Sequence, residues 1–206
     1  MKKFLILPVL LIPVICSAQS HGIDMTLLKD IVINRPQSLD HLFLLITKTA
    51  KPIVVLSFII IFILGLIKKN RKLKLTSIQI VGGLIITTII VVLLKHSVGR
   101  PRPYITDPTL WHAASKSNPS FPSGHTAVTF VVATILSLNY RKNYIGIIFF
   151  AWAILVAFSR LDLGMHYPSD VIAGAFIGFI ISWIVYTIFL RIRKKYASPG
   201  IKPNSI

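Results

Sequence analysis

Residues 75–103 read LTSIQIVGGLIITTIIVVLLKHSVGRPRP, an apolar segment that ends in a group of cations. The first 20 of these residues, 75–94, carry no charge, and about 20 apolar residues are needed for a helix to cross the hydrocarbon core of a bilayer. Residues 171–190 form a second uncharged segment of 20 residues. Both segments predict transmembrane helices.

Three further apolar segments belong to the same pattern. They are residues 53–67, which residues 42–50 extend backwards across Pro52, and residues 125–138 and 145–158. These segments bring the predicted spans to five, and an N-terminal span would make six. The fold class predicted from the sequence is therefore all-α, an integral membrane helical bundle of five to six transmembrane helices.

The N-terminus has the pattern of an export signal. Two lysines precede the apolar residues 4–15, and the small residues Cys16 and Ala18 follow. This pattern predicts cleavage after Ala18, with a retained first membrane helix as the alternative, so residues 1–18 are a signal peptide or a first span.

Charge restricts the class of partner. The chain has 23 Lys and Arg against six acidic residues, all Asp, and a net charge of +17, while 54% of its residues are hydrophobic. Such a balance suits nucleic acid, an anionic lipid surface or an anionic substrate. Nucleic acid fits least well of the three, because the basic residues stand between apolar spans and no nucleic-acid-binding motif is present, so no nucleic-acid partner is predicted. The single cysteine, Cys16, excludes an intrachain disulfide and a cysteine-based metal site.

The distribution of the cations predicts the topology. Residues 68–74 carry five cations, residues 141–142 two, and residues 191–195 four. Alternating spans place all three groups on one side, which the positive-inside rule makes cytoplasmic. The opposite, extracytoplasmic face then holds residues 95–124 and 159–170.

Two further segments complete the predicted domain organisation. Residues 19–52 mix Leu and Ile with Asp and Lys, which predicts an amphipathic extracytoplasmic segment that lies on the membrane surface. Residues 53–190 form the membrane domain, and residues 191–206 form a basic cytoplasmic tail.

Three clusters on the extracytoplasmic face carry the chemistry. In the first, Gly99 and Pro101 stand between Lys95 and Arg102, and Pro103 follows. These residues break any helix there, so the chain can fold back and bring both cations together. Arginine offers a planar fork to two phosphate oxygens, and lysine offers a point charge.

The second cluster, Pro122-Ser123-Gly124-His125, begins an apolar helix. Ser123 suits the N-cap, Gly124 allows the backbone to approach a ligand, and the free N–H groups of a helix start attract anions. His125 stands in the first turn, where it can donate a proton to a leaving oxygen.

The third cluster follows another span. Ser159-Arg160 is followed by His166 and by Asp170, with Pro168 predicted to begin the last helix. Asp170 stands four residues after His166, a spacing that lets it accept a hydrogen bond from one imidazole nitrogen and leave the other free for attack.

Other polar residues lie near these clusters. Each could shape the choice of substrate, and each is equally well explained as a solvated loop residue: His96, Arg100, Tyr104, His112 and Asp162.

The three clusters, Lys-x6-Arg-Pro, Pro-Ser-Gly-His and Ser-Arg-x5-His-x3-Asp, resemble the tripartite signature of the type 2 phosphatidic acid phosphatase superfamily, which also includes the vanadium haloperoxidases. The resemblance covers residues 95–170 and every signature position. It implies a six-helix membrane bundle, a phosphatase reaction without a divalent metal, and no cofactor. A cleaved N-terminus, leaving five spans, would depart from that pattern.

The resemblance also implies a role for each signature residue. His166 would be the nucleophile that forms a phosphohistidine, Asp170 would orient it, and His125 would be the general acid. The phosphate oxygens would be held by the remaining signature residues, namely Lys95, Arg102, Ser123, the Gly124 amide and Arg160.

The sequence thus predicts a bacterial inner-membrane phosphatase that acts on a lipid phosphate at the extracytoplasmic face. The candidate substrates are undecaprenyl diphosphate, phosphatidylglycerol phosphate and phosphatidic acid. A lipid A phosphatase and a lipid phosphotransferase that uses the same histidine are the alternatives. A non-catalytic anion-binding protein fits less well, because binding needs only cations, and a soluble haloperoxidase conflicts with the uncharged spans. The sequence does not determine the oligomeric state.

Overall fold

The computed structural model describes residues 21–110, 118–140 and 144–196, and the predicted signal or first span lies outside them. The described residues form helices and no strand, as the all-α prediction expects. The helices are α1 (His21–Ile33), α2 (Asp40–Ile67), α3 (Arg71–Val98), α4 (Pro103–Thr106), α5 (Gly124–Asn139), α6 (Ile145–Asp162) and α7 (Pro168–Tyr196). A short 3-10 turn, Gln37–Leu39, precedes α2.

Four of the described helices, α2, α3, α6 and α7, are long and apolar enough to cross a membrane. Their outer faces expose large apolar side chains, such as Ile60, Ile86 and Ile147, which are 50%, 42% and 69% exposed. A protein in water rarely exposes so much apolar surface, but a bilayer solvates it. The chain is a multi-pass membrane protein.

Helix α5 occupies the middle of the bundle. It has 16 residues, which span about 24 Å at 1.5 Å per residue, and packs against α2, α3, α6 and α7. Its buried residues Val131, Val132 and Ile135 form the main apolar core together with Val54 of α2 and Ile80 of α3.

Two glycines of α7 set its distance from α5. A Cβ atom at Gly174 would stand 2.5 Å from the carbonyl oxygen of Ser123, and one at Gly178 would stand 2.3 Å from that of Ala127. Small residues four apart let two membrane helices pack backbone to backbone. This packing brings the start of α7 to the start of α5, where the Ser123 N–H donates to the Asp170 carbonyl oxygen at 3.0 Å.

The predicted amphipathic segment 19–52 is not a single surface element. Helix α1 ends at Ile33, and α2 continues without a break through Pro52, so the predicted boundary at residue 52 falls inside a helix. Helix α1 also buries Leu28 completely, against Leu110 and Tyr167. It is therefore packed onto the end of the bundle rather than lying apart from it.

The basic start of α3 lies at the other end of the bundle. Asn139 at the end of α5 donates to the Gln79 side chain of α3 at 2.7 Å, and Lys72 lies over the ring of Tyr140. These contacts place the start of α3, with its lysines, beside the end of α5 and away from the three signature clusters. Helices α3 and α5 therefore run antiparallel, as the predicted alternation of spans expects.

Candidate active site

A cavity of about 480 Å³ opens between α2, α3, α5 and α6 at the end of the bundle that carries the signature clusters. Six of the residues predicted for the site line it: Lys95, Arg102, Gly124, His125, Arg160 and His166. The cavity wall farther along α2, α3 and α5 is mostly apolar: Val54, Val55, Leu84, Thr88, Val91 and Val128. The structure therefore brings three sequence clusters together at one end of an apolar cavity.

His166, which lines the cavity, forms a buried pair with Asp170, which lies behind it. His166 lies in the turn between α6 and α7, and its Nδ1 is 3.4 Å from Asp170 Oδ2 and 3.3 Å from Ser120 Oγ. The same Asp170 oxygen accepts from the Tyr167 N–H at 3.0 Å and from the Ser120 hydroxyl. These acceptors assign the imidazole proton to Nδ1, which leaves the lone pair on Nε2.

The surroundings of His166 favour its neutral form. Burial lowers the pKa of the imidazole well below its ordinary value, and the positive charges of Arg160, Arg102 and Lys95 lower it further. The neutral form is the one that the reaction needs, because only an uncharged imidazole has a lone pair with which to attack phosphorus.

Arg102 is fixed beside Nε2 of His166. Its Nη1 donates to the Met165 carbonyl at 2.9 Å and lies 3.4 Å from His166 Nε2. Its Nε and Nη2 donate to the backbone and side-chain oxygens of Asn118, at 3.0 and 2.7 Å. This cation consequently has one orientation, with a positive edge next to the nitrogen that would attack.

Lys95 is held against the same loop from the end of α3. Its Nζ donates to the carbonyl oxygens of Pro119 at 2.5 Å and Ser120 at 3.2 Å. The two cations of the first cluster are thus fixed by consecutive residues of the segment that precedes Pro122, and both face the cavity.

Arg160 presents two hydrogen-bond donors to which none of the described residues bonds. Its Nη1 donates to Thr47 Oγ1 of α2 at 2.7 Å, but its Nε and Nη2 are buried and have no partner among the described residues. An unsatisfied buried donor costs about 1–3 kcal/mol, and more when it is charged. Nε and Nη2 form one edge of the guanidinium fork, which suits two oxygens of a phosphate.

The start of α5 differs in one respect from the expectation. Ser123 occupies the N-cap position but its side chain makes no capping bond; its hydroxyl lies 2.9 Å from Thr126 Oγ1 instead. Gly124 faces open space, since a Cβ there would meet only Val91, at an ordinary 3.6 Å. His125 follows in the first turn and lines the cavity close enough for its charge to act on His166.

Sequence reasoning missed several residues that support the site. Arg100, considered equally well explained as a solvated residue, is 2% exposed and pairs with Asp170 at 2.8 Å. Ser120, Asn118 and Thr47 were not considered, although Ser120 stands only two residues before Pro122. The signal for Arg100 was its place between two signature cations at the end of a span, where an unpaired charge is costly.

The other polar residues near the clusters differ in burial and in their contacts. Asp162 is buried and pairs with Arg35 at 2.9 Å, and Tyr104 packs in an apolar cluster with Leu163 and Met165. His96 is exposed, and His112 lies outside the described residues. In the ranges that the structure describes, no three His, Cys, Asp or Glu side chains come together as metal ligands would.

Comparison with known proteins agrees with this geometry. The family model of the PAP2 superfamily matches residues 76–194. The undecaprenyl-diphosphatase of Sulfolobus acidocaldarius is 30% identical over 89% of this chain and 84% of its own length. The lipid A 4'-phosphatase of Bacteroides thetaiotaomicron is 38% identical, but over only 41% of this chain and 37% of its own length.

Among solved structures, the crystal structure of Aquifex aeolicus LpxE superposes with a TM-score of 0.70 at 29% identity, over 82% of this chain and 98% of that one. The range matched by the family model, residues 76–194, includes all three clusters. The chain belongs to the PAP2 superfamily, as a membrane-embedded lipid phosphatase.

Proposed function

We propose that the protein removes the terminal phosphate from a lipid phosphomonoester or lipid diphosphate at the extracytoplasmic face of the bacterial inner membrane, through a phosphohistidine intermediate. The observation that carries the proposal is the pair of unused donors on Arg160, in a cavity that also holds the neutral imidazole of His166. A phosphate bound by Arg160, Lys95 and Arg102 would lie within reach of Nε2.

In the first step, the Nε2 lone pair of His166 attacks phosphorus and the bond from phosphorus to the lipid oxygen breaks. His125 gives its proton to that oxygen, and the lipid leaves as an alcohol or, from a diphosphate, as a monophosphate. The positive charge that develops on the imidazole is stabilised by Asp170 through Nδ1–H.

In the second step, His125 takes a proton from a water molecule, and the oxygen of that water attacks phosphorus. The N–P bond breaks, inorganic phosphate leaves, and His166 regains its neutral form. In both steps, Arg160, Lys95 and Arg102 stabilise the negative charge on the phosphate oxygens. This is the preorganised electrostatic stabilisation that phosphoryl transfer requires.

The apolar wall of the cavity supports a lipid substrate. Val54 and Val55 of α2 and Leu84 of α3 continue the cavity away from the cations and into the membrane-spanning part of the bundle. This division suits a phosphate at one end and an acyl or prenyl chain at the other. Undecaprenyl diphosphate, phosphatidylglycerol phosphate and phosphatidic acid all have this form.

Two alternatives use the same geometry. A lipid A phosphatase is supported by the match to the Bacteroides lipid A 4'-phosphatase. A phosphotransferase would pass the phosphoryl group from His166 to a second lipid instead of water, and the first step would be unchanged.

The assay that tests the proposal measures phosphate release by the purified full chain in detergent, with EDTA present, from the three lipids and lipid A. Release from at least one lipid without added metal is expected, because lysine and arginine, rather than a metal, hold the phosphate. His166→Ala serves as the blank. Activity that EDTA removes and Mg²⁺ restores would contradict the metal-free mechanism, and transfer only to an added acceptor lipid would favour the phosphotransferase.

Lys51 offers a way to separate diphosphate from monophosphate substrates. It lines the cavity on α2, one helical turn beyond Thr47, the partner of Arg160, and one turn before Val55. This cation thus lies between the phosphate-binding end and the apolar wall, where the inner phosphate of a lipid diphosphate would lie.

For Lys51→Met we expect kcat/KM for a prenyl diphosphate to fall about tenfold, equivalent to about 1.4 kcal/mol, with little change for the matching monophosphate. The matched control is Lys48→Met, which removes an exposed lysine of the same helix. An equal loss of kcat/KM for both substrates would show that Lys51 does not bind the second phosphate.

A further inference from the structure

Asp24 is a buried carboxylate on α1, outside the signature and outside the residues 76–194 that match the family model. It is 6% exposed. Its Oδ2 accepts from Arg100 Nη2 at 2.7 Å and from the Ser169 hydroxyl, and its Oδ1 accepts from the Ser169 N–H at 3.1 Å. One carboxylate of α1 therefore reaches the first turn of α7, next to Asp170.

Arg100 joins Asp24 to the proposed catalytic pair. Its Nη1 donates to Asp170 Oδ1 at 2.8 Å and to Ser169 Oγ at 2.7 Å, while Nη2 serves Asp24. Its guanidinium also lies over the ring of Tyr167, 3.7 Å from the ring centre. The two carboxylates and the aromatic ring fix the plane of the guanidinium, so the Asp170 oxygen that it binds is fixed as well.

The two carboxylate oxygens of Asp170 therefore have different partners. Oδ1 is occupied by Arg100, and Oδ2 is turned to His166 Nδ1 and to the Tyr167 N–H. A rotation of the carboxylate would break both sets of contacts. Whatever holds Arg100 in place therefore also holds Oδ2 toward the imidazole.

Charge provides a second link. Arg100 carries one positive charge and is shared by two buried carboxylates, at 2.7 and 2.8 Å. Without Asp24, the whole charge of Arg100 would act on Asp170, in a region where water screens little. Asp170 would then be a weaker counter-charge for the imidazolium that forms when His166 attacks phosphorus.

We propose that Asp24 is a positioning residue for the phosphatase reaction, acting through Arg100 and Asp170 on His166. The inference rests on the roles given to His166 and Asp170 in the proposed function. It makes helix α1 part of the catalytic unit rather than only a segment that precedes the first described span.

The docking of α1 does not depend on Asp24 alone. Leu28, one turn farther along α1, is fully buried against Leu110 and Tyr167, and Lys29 pairs with Asp107 at 2.6 Å. These contacts remain when the Asp24 carboxylate is neutralised, so catalysis and docking of the helix can be examined separately.

The first test compares Asp24→Asn with Asp30→Asn, an exposed carboxylate of the same helix. For Asp24→Asn we expect kcat to fall 10- to 100-fold with KM changed less than threefold, because the phosphate-binding cations are untouched. Asp30→Asn is expected to match the wild type. An unchanged kcat in Asp24→Asn at normal thermal stability would overturn the inference.

The second test asks whether Asp24 acts through Asp170. If it does, the double variant Asp24→Asn/Asp170→Asn should be no slower than Asp170→Asn alone, within about twofold, because the link is already broken. Two losses that multiply would contradict the proposed link. His166→Ala is measured beside them, and activity in that variant would refute the proposed function itself.

Two variants of equal size distinguish the loss of the Asp24 charge from a folding defect. Asp24→Glu keeps the charge and Asp24→Gln removes it, with the same added methylene. The Glu variant is expected to turn over at least tenfold faster than the Gln variant. Equal rates would overturn the inference, since size alone would then account for the effect.

Discussion

His166→Ala is expected to reduce phosphate release to the uncatalysed background, a loss of roughly 10⁴-fold or more in kcat. The physical reason is that Nε2 of His166 is the nitrogen that forms the covalent bond to phosphorus in the proposed mechanism. Arg160, Lys95 and Arg102 would still bind the phosphate, so substrate affinity should change much less than turnover.

The measurement pairs steady-state kinetics with trapping of the intermediate. With substrate labelled in the transferred phosphate, the wild type should yield labelled protein after a base quench and lose the label in acid, as a phosphohistidine does. His166→Ala should yield none. The control, His96→Ala, removes an exposed histidine at the end of α3 and should leave both signals unchanged. Labelled protein in His166→Ala would assign the nucleophile elsewhere.

Asp170→Asn is expected to lower kcat by about 10⁴-fold, the loss seen when the buried aspartate of a serine-protease triad is replaced by asparagine. Asp170 Oδ2 accepts hydrogen bonds from the Tyr167 N–H and the Ser120 hydroxyl as well as from His166. An amide that keeps its oxygen toward those donors offers no charge to the imidazolium. One that turns its NH₂ toward Nδ1 favours the wrong tautomer.

Asp162→Asn is the matched control for this experiment. Asp162 is likewise buried and paired with an arginine, Arg35, at 2.9 Å, and it has no contact with His166 among the described residues. Both substitutions remove a buried, paired charge, so both are expected to lower thermal stability. Only Asp170→Asn should abolish the phosphoenzyme. Equal losses of kcat in the two variants would mean that Asp170 acts through stability.

The helices and the convergence of the three clusters could be predicted because both are local properties of the sequence. Uncharged segments of 20 residues specify spans, and alternating spans bring residues 95, 125 and 166 to one face whatever the packing. Pro168 at the start of α7 was predicted from its missing N–H, and the structure confirms it.

The support around the site could not be predicted because it depends on contacts between distant segments. The pairing of Arg100 with Asp24 joins residues 76 positions apart, and that of Arg160 with Thr47 joins residues 113 apart. Nothing in the local pattern shows which of several nearby cations turns inward. The capping bond expected of the Ser123 side chain is not formed, because its hydroxyl pairs with that of Thr126, one turn later, instead.

The cavity has cations at one end and apolar side chains along the rest of its wall, and this arrangement has a consequence for the products. On the proposed mechanism, inorganic phosphate would be freed among the cations at the end of the bundle, and the dephosphorylated lipid against Val54, Val55 and Leu84. One product therefore dissolves in water and the other in the bilayer, and the two are separated into different phases as they form. On the proposed mechanism, dilution into two solvents draws the reaction forward and keeps the enzyme from running in reverse.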